Sequence, residues 1–324
     1  MKILMMARPD LVGPGEGGFV QELRSAFPKI QFEEAYTLEG QIEKVGDADA
    51  VYGWVPRDVF TAGKRLKWIH IPGTGVDREI TGIPELIASD IVLTNAPSSH
   101  ANPMADHVFG LVVSLAHRLW EMRDDQREHR WETRKYAGRL LELSGRTMGI
   151  LALGDIGKAV ARRAHGFGMN VCAVDKYPER ATVDFADTWG MERLDDLLKI
   201  SDWVVVTAPY TAETIGLIDS RRIALLKKSA FLIVISRGGI VDESALIAAL
   251  RSGRIAGAGL DATGKEPLSQ ESPLWDMDNV LISPHASALT QEMYDGRRET
   301  FRENIRRYLS SKPFINVCNK KDGF

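Results

Sequence analysis

The chain has 324 residues, of which 44% are hydrophobic and 26% charged, with a formal net charge of −3. That length allows about two domains of ordinary size, and the composition is that of a folded globular protein rather than a disordered one. The near-neutral balance excludes a strong global field for nucleic acid or an anionic membrane, and the basic pairs Arg297-Arg298 and Arg306-Arg307 are interspersed with Glu, as on a solvated helix face.

Short apolar runs alternate with longer amphipathic stretches from the first residues onward. The opening run, Met1 to Ala7, is too short for a signal peptide and reads as a buried strand. Strands are expected at Ile3 to Ala7, Ala50 to Trp54, Trp68 to Ile71 and Ile91 to Thr94. Helices such as Phe19 to Phe27 and Pro84 to Ala88 fall between them. The stretch Ala101 to Arg123 reads as one long connecting helix.

A second series of strands begins near Thr147, at Met148 to Leu153, Val171 to Val174, Trp203 to Thr207, Phe231 to Ile235, Gly257 to Leu260 and Val280 to Ser283. Each is continuously apolar, so both of its faces must be covered. Asp242 to Arg251 reads as a helix capped by Asp242 and ended by Gly253. The last helix, Thr290 to Leu309, has no further strands to pack on and is expected to cross back to the first domain. The expected fold is α/β, with two Rossmann-like domains, the first flavodoxin-like, each with a parallel sheet, and a cleft between them. Residues 1–98 and 288–324 form a discontinuous substrate domain, and 99–287 form a nucleotide-binding domain.

Two cysteines, Cys172 and Cys318, make neither a metal cluster nor a disulfide framework, which fits a reducing cytoplasm. Cys172 lies in an apolar run and reads as a small buried hydrophobe, whereas Cys318 sits in a polar tail. No apolar stretch is long enough to span a bilayer.

The segment Leu151-Ala152-Leu153-Gly154-Asp155-Ile156-Gly157 follows an expected strand and opens an expected helix, which is where a dinucleotide fingerprint belongs. Gly154 lets backbone approach a pyrophosphate, Gly157 lets helix and strand pack closely, and the helix N-terminus offers N–H groups to phosphate. Ala152 stands where the first glycine of Gly-x-Gly-x-x-Gly is usual, so its turn must fit ordinary dihedrals or carry strain. A helix-capping turn is the plainer reading of such glycines. Asp175 ends the next strand about twenty residues on, where a carboxylate binds ribose hydroxyls and repels a 2′-phosphate. NAD(H) is therefore favoured over NADP(H), although Lys176 and Arg180 lie close by.

Three later segments leave strand ends, where ligands bind in doubly wound sheets. Arg237 precedes Gly238-Gly239; its planar guanidinium suits a carboxylate, and a surface arginine beside a turn is the plainer reading. Asp261 leaves the next strand, with Glu266-Pro267 deeper in its loop. Pro284-His285 follows the last strand, and of the seven histidines His285 is best placed for acid–base work. His70 could face a substrate or be a satisfied strand-end histidine, His107 reads as structural, and Tyr52, Trp54 and Tyr210 could line the cleft, with core packing the default for each.

Arg237-Gly238-Gly239, Asp261 through Glu266-Pro267, and Pro284-His285 together resemble the D-isomer-specific 2-hydroxyacid dehydrogenase family. Gly73-Thr74-Gly75-Val76-Asp77, Asn95-Ala96-Pro97, Ala105-Asp106-His107 and the stretch from Ser201-Asp202 to Pro209 extend the likeness, which runs from about Trp68 to Pro313. The resemblance implies an oxidoreductase interconverting a 2-keto acid and a D-2-hydroxy acid, with glyoxylate or hydroxypyruvate as candidate substrates. It implies that Arg237 binds the substrate carboxylate and carbonyl oxygen, that His285 is the acid–base group, and that Glu266 pairs with His285 and favours the imidazolium. Backbone N–H groups of Thr74, Gly75 and Val76 would hold the carboxylate. Gly154, Asp155, Ile156, Gly157, Asp175, Ala208, Pro209, Ser236 and Asp261 would contact NAD(H), Asp261 at the nicotinamide carboxamide. No metal is implied. A cytoplasmic homodimer is expected, with Trp120 and Trp131 near its interface. Neither nucleic acid nor membrane is an expected partner. The family also includes NAD(H)-sensing corepressors, which is the alternative reading. Ala152, and Ala262-Thr263-Gly264 where the family often has bulkier residues, depart from the pattern.

Overall fold

The computed structural model describes residues 1–8 and 16–324. The chain divides into two compact units, Met1–His100 with Leu289–Phe324, and Ala101–Ala288. Each is a parallel α/β unit.

The first unit is built on five strands: β1 (Lys2–Met5), β2 (Gln31–Glu34), β3 (Ala50–Tyr52), β4 (Trp68–His70) and β5 (Val92–Thr94). They lie in the order β2-β1-β3-β4-β5, all parallel, with Ile3 opposite Ala50, Ala50 opposite Trp68 and Trp68 opposite Val92. The two-residue period of a strand sends alternate side chains to opposite faces. Leu4, Val51, Ile69 and Leu93 therefore enter one core, while Ile3, Met5, Tyr52 and Trp68 enter the other. The helix Gln291–Leu309, capped by Thr290, delivers Phe301 and Ile305 to the second core. Strand β2 has a single buried residue, Phe32, among polar neighbours, so it shows no apolar run in sequence.

Cys318 corrects one expectation. It is buried, not part of an exposed polar tail: its N–H donates to the Leu93 carbonyl at 2.9 Å, and its side chain joins the Leu4 core. Burial pushes its thiol up to about 12, so it is held as an inert thiol.

The second unit carries seven parallel strands: β6 (Thr147–Leu151), β7 (Asn170–Asp175), β8 (Ala186–Gly190), β9 (Trp203–Val206), β10 (Phe231–Val234), β11 (Gly257–Leu260) and β12 (Val280–Ile282). Their order is β12-β11-β10-β9-β6-β7-β8. Met148, Ile150, Val205 and Ile233 fill one face and Leu151, Val204, Leu232 and Leu260 the other, which is why these strands read as unbroken apolar runs. Strand order reverses between β6 and β9. The crevice at the carboxyl ends of strands beside such a switch point is where doubly wound sheets bind ligands. Edge strand β8 mixes Asp187 and Thr188 with Trp189 and is not apolar enough to stand out in sequence.

The stretch expected as one helix from Ala101 to Arg123 is two. A helix spans Pro97–His117, Arg118 turns left-handed at φ 53°, and a second helix covers Leu119–Arg127. Arg118 is held in this costly conformation by its Nε bond to Glu121 at 2.6 Å and by lying over the Trp120 ring. The boundary between units falls inside the first of these helices.

Candidate active site

The turn after β6 is the point where Ala152 replaces glycine. Its φ is +77°, the left-handed region, so the strain alternative is the one realised. The turn is pinned from both sides: the Ala152 N–H donates to Val174 at 2.8 Å, and its carbonyl accepts from Thr207 Oγ1 at 2.6 Å. Gly157 crosses directly over it, and a Cβ there would lie 2.3 Å from the Ala152 oxygen. The helix Asp155–Gly166 starts at Gly154 with no side-chain cap. Among the described residues, the N–H groups of Gly154, Ile156 and Gly157 have no acceptor within the chain. Free donors at a helix start, with glycine's close approach, suit a pyrophosphate.

Asp175 ends β7. Its Oδ2 accepts from the Leu153 N–H at 2.7 Å and its Oδ1 from the Tyr177 N–H at 2.8 Å, so the carboxylate fastens the turn. A carboxylate has about four lone-pair sites, which leaves room for ribose hydroxyls. Lys176 pairs with Glu213 at 3.0 Å, and Arg180 lies over the Tyr177 ring. After β9, Ala208 is buried and Pro209 half-buried. After β10, Ser236 has a buried hydroxyl with no hydrogen-bond partner among the described residues. An orphaned hydroxyl and unpaired helix-start amides at the switch point fit a dinucleotide.

Arg237 follows Ser236, half-buried, its Nη1 donating to the Ser236 carbonyl at 2.9 Å. The next residue explains the double glycine. A Cβ on Gly238 would lie 2.0 Å from the Thr263 carbonyl carbon and 2.3 Å from its oxygen, so the loop after β11 packs directly on this backbone. That loop carries Glu266. Its Oε1 accepts from the Thr263 N–H at 3.2 Å, and its Oε2 lies 2.8 Å from His285 Nδ1. His285 is itself left-handed at φ 53° and remains accessible, as does Glu266.

Asp261 anchors the His285 loop. It is 1% exposed; its Oδ1 accepts from Ser283 Oγ at 2.6 Å and the Ala286 N–H at 2.9 Å, and its Oδ2 from the Ser287 N–H at 3.1 Å. Burial pushes the carboxyl up, but the bonds from Ser283, Ser287 and the Ala286 N–H outweigh burial and hold it below the usual carboxylate range. His107 Nε2 lies 2.7 Å from Ser283 Oγ. Because that hydroxyl donates to Asp261, it accepts from His107. Sequence reasoning placed Asp261 only at the nicotinamide and missed this anchor. The serines flanking Pro284-His285-Ala286 were the available signal.

Thr74, Gly75 and Val76 belong to the first unit, between β4 and the helix Asp77–Gly82. The Gly73 carbonyl accepts from Ala96, and the Thr74 carbonyl from Asn95 Nδ2 at 2.6 Å, so the loop is fixed by its carbonyls. Among the described residues, its three N–H groups have no partner in the chain. His70 is wholly buried, 2.8 Å from Thr94 Oγ1, and burial pushes it down to about 3, which makes it a neutral core histidine. Trp54 departs from the core-packing expectation, standing 40% exposed beside Gly73, while Tyr52 is core and Tyr210 half-buried. Among the described residues no group of three or more His, Cys, Asp or Glu could hold a metal ion, and no helix is long and apolar enough to cross a membrane.

Residues 109–287 match the sequence profile of the D-isomer specific 2-hydroxyacid dehydrogenase family, NAD binding domain. The chain belongs to this family. It is 35% identical over 313 residues to a glyoxylate reductase of Thermococcus onnurineus, covering 93% of this chain and 92% of that protein. It is 32% identical over 298 residues to a D-3-phosphoglycerate dehydrogenase of Methanocaldococcus jannaschii, covering 90% of this chain but 55% of that protein. The chain thus spans about half the length of that longer relative. Among solved structures, a D-isomer specific 2-hydroxyacid dehydrogenase from Xanthobacter autotrophicus in complex with NADPH and MES superposes with a TM-score of 0.86 at 30% identity. The match covers 100% of this chain and 99% of that one. Two parallel Rossmann-like units and a nicotinamide dinucleotide site are therefore family properties that this chain shares.

Proposed function

We propose that the protein is an NAD(H)-dependent oxidoreductase that interconverts a 2-keto acid and the D-2-hydroxy acid, with small acids of the glyoxylate and hydroxypyruvate type as substrates. The observation that carries this reading is the His285–Glu266 pair, an accessible imidazole 2.8 Å from a carboxylate, on loops leaving β11 and β12 at their carboxyl ends. When bound, the nicotinamide supplies or accepts the hydride. Everything else is the work of this chain. His285 gives a proton to the carbonyl oxygen during reduction and takes one from the hydroxyl during oxidation. Glu266 orients the ring through Nδ1, leaving Nε2 to face the substrate. Arg237 binds the substrate carboxylate and polarises the carbonyl. The unpaired N–H groups of Thr74, Gly75 and Val76 are donors suited to a substrate carboxylate.

Ser236, the Gly154–Gly157 turn, Ala208, Pro209 and Asp261 are the cofactor contacts of this reading. Asp175 favours NAD(H), since a carboxylate at that position repels a 2′-phosphate. The NADPH seen in the Xanthobacter protein makes the ratio of efficiencies with NADH and NADPH the measurement to take. The similarity to a glyoxylate reductase over nearly its full length supports a small substrate. A homodimer belongs to the same reading, with the 95% exposed Trp131 at the interface, and light scattering of the eluted protein checks it.

The experiment is oxidation of NADH, followed at the nicotinamide absorbance, with a panel of glyoxylate, hydroxypyruvate, pyruvate, phenylpyruvate and 3-phosphohydroxypyruvate. The reading expects turnover, greatest with the small acids. No turnover on any member while NADH still binds would replace it with the NAD(H)-sensing, corepressor-like function.

A further inference from the structure

One buried carboxyl plays no part in the chemistry above. Glu79 lies on the helix Asp77–Gly82, immediately after the Thr74–Val76 loop, and is 2% exposed. Its hydrogen-bond partner Val55, and Cys318, whose thiol feels its charge, both belong to one hydrophobic core cluster, as do Val76 and Ile83 at the two ends of its helix. Oε1 accepts from the Val55 N–H at 3.3 Å, and Oε2 has no hydrogen-bond partner among the described residues. Val55 follows Trp54, whose indole rests over Gly73: a Cβ built there would lie 3.8 Å from Trp54 Cζ2. Two turns therefore meet here, Gly53–Val55 after β3 and Gly73–Val76 after β4, and a single carboxyl joins them from beneath.

We propose that Glu79 is a positioning residue that ties the Trp54–Val55 turn to the loop whose free N–H groups take the substrate carboxylate, and so sets how well the 2-keto acid binds. The inference rests on the reading of Thr74–Val76 as that loop. A buried carboxylate with one oxygen unpaired is strongly disfavoured, and a neutral carboxylic acid is not. Burial accordingly pushes Glu79 up to about 7. The charged groups that face it are Asp77, which raises it further, and Arg78, which opposes, both on its own helix; Cys318 on the C-terminal segment is a neutral thiol. Folded Glu79 holds a proton that the unfolded chain releases near its ordinary value. Its contribution to stability is therefore complete at low pH and is lost as pH rises through about 7. Above that point the ionised group draws water or a donor toward itself, and the two turns loosen.

The test compares the full-length protein with Glu79→Gln, which keeps the acceptor oxygen but cannot ionise, and Glu79→Leu, which removes the acceptor. Melting temperature and steady-state kinetics with glyoxylate and NADH are taken from pH 5 to 8.5. The ratio of wild-type to Gln KM is expected to rise several-fold across that range with the kcat ratio flat, and the wild-type melting temperature to fall relative to Gln. Glu79→Leu is expected to raise KM at every pH. Parallel melting curves for wild type and Gln would overturn the ionisation. A melting difference without a KM difference would overturn the positioning role. A protein without turnover would overturn the functional reading instead, and binding of oxalate by calorimetry then replaces KM with the same expected pH divergence, whose absence overturns this proposal.

Discussion

Gly238→Ala isolates one contact that the double glycine after Arg237 makes possible. The added methyl would sit 2.0 Å from the Thr263 carbonyl carbon, against the 3.4 Å at which ordinary contact begins, and the obstacle is backbone rather than a yielding side chain. The Thr263 loop must retreat by more than 1 Å, or Arg237 must move by a similar amount. Either shift reaches the chemistry, because the Thr263 N–H binds Glu266, and Glu266 binds His285. Overpacking of this kind costs about 1–3 kcal/mol. For a domain of this size that lowers the melting temperature by roughly 2–4 °C for each kcal/mol. A displacement of about 1 Å in a catalytic group costs on the order of 100-fold in rate. The expected outcome is a folded protein that melts several degrees lower, binds NADH, and reduces glyoxylate about 100-fold more slowly. Gly264→Ala is the control: the three atoms nearest its Cβ all belong to the flexible Glu243 side chain, the first at 3.2 Å, and activity should stay near wild type. Wild-type kcat in Gly238→Ala would refute the argument that this packing holds Glu266 in place.

Three further outcomes follow from the same geometry. Ala152→Gly relieves a left-handed alanine, a conformation that costs roughly 1–2 kcal/mol, and should raise the melting temperature by a few degrees without loss of kcat; no gain in differential scanning calorimetry would remove the strain reading. Glu266→Gln keeps the hydrogen-bond shape but not the charge, so reduction should slow, by less than the roughly 10²–10⁴-fold that a whole acid–base group supplies; a wild-type kcat would count against the pairing. Asp261→Asn replaces an acceptor of three bonds with a group that must also donate, at a cost of about 2–3 kcal/mol. The Asp261 carboxyl is held low in the fold, so its stabilisation is present above its unfolded value and is lost as pH falls. The deficit of the Asn variant in urea melts should therefore shrink in acid, and a deficit constant with pH would contradict the anchor.

Most of the inner strands were legible because burial on both faces leaves an unbroken apolar run, as in Gly257–Leu260. Strands β2 and β8 were not, because each has an edge position and polar residues along its length. The break at Arg118 was also hidden. Nothing in the local sequence forbids helix there, and the left-handed turn is held by Glu121 and Trp120. The order of Arg237, Glu266 and His285 was readable because each follows a strand. What was not readable is how their loops are held. The Gly238–Thr263 approach, the Asp261 anchor with His107 behind Ser283, and the burial of Glu79 all join residues from separate elements, and spacing along the chain carries no trace of them. Trp54 and Cys318 show the same limit in reverse, since an aromatic residue is exposed and a residue of a polar tail is buried.

His285→Ala tests the central claim most directly. With NADH binding followed by nicotinamide fluorescence and glyoxylate reduction by absorbance, the account predicts binding within a few-fold of wild type and turnover reduced by about 10²–10⁴-fold, the share that a positioned acid–base group supplies. Turnover retained at the wild-type rate, with the protein folded and NADH bound, would contradict it.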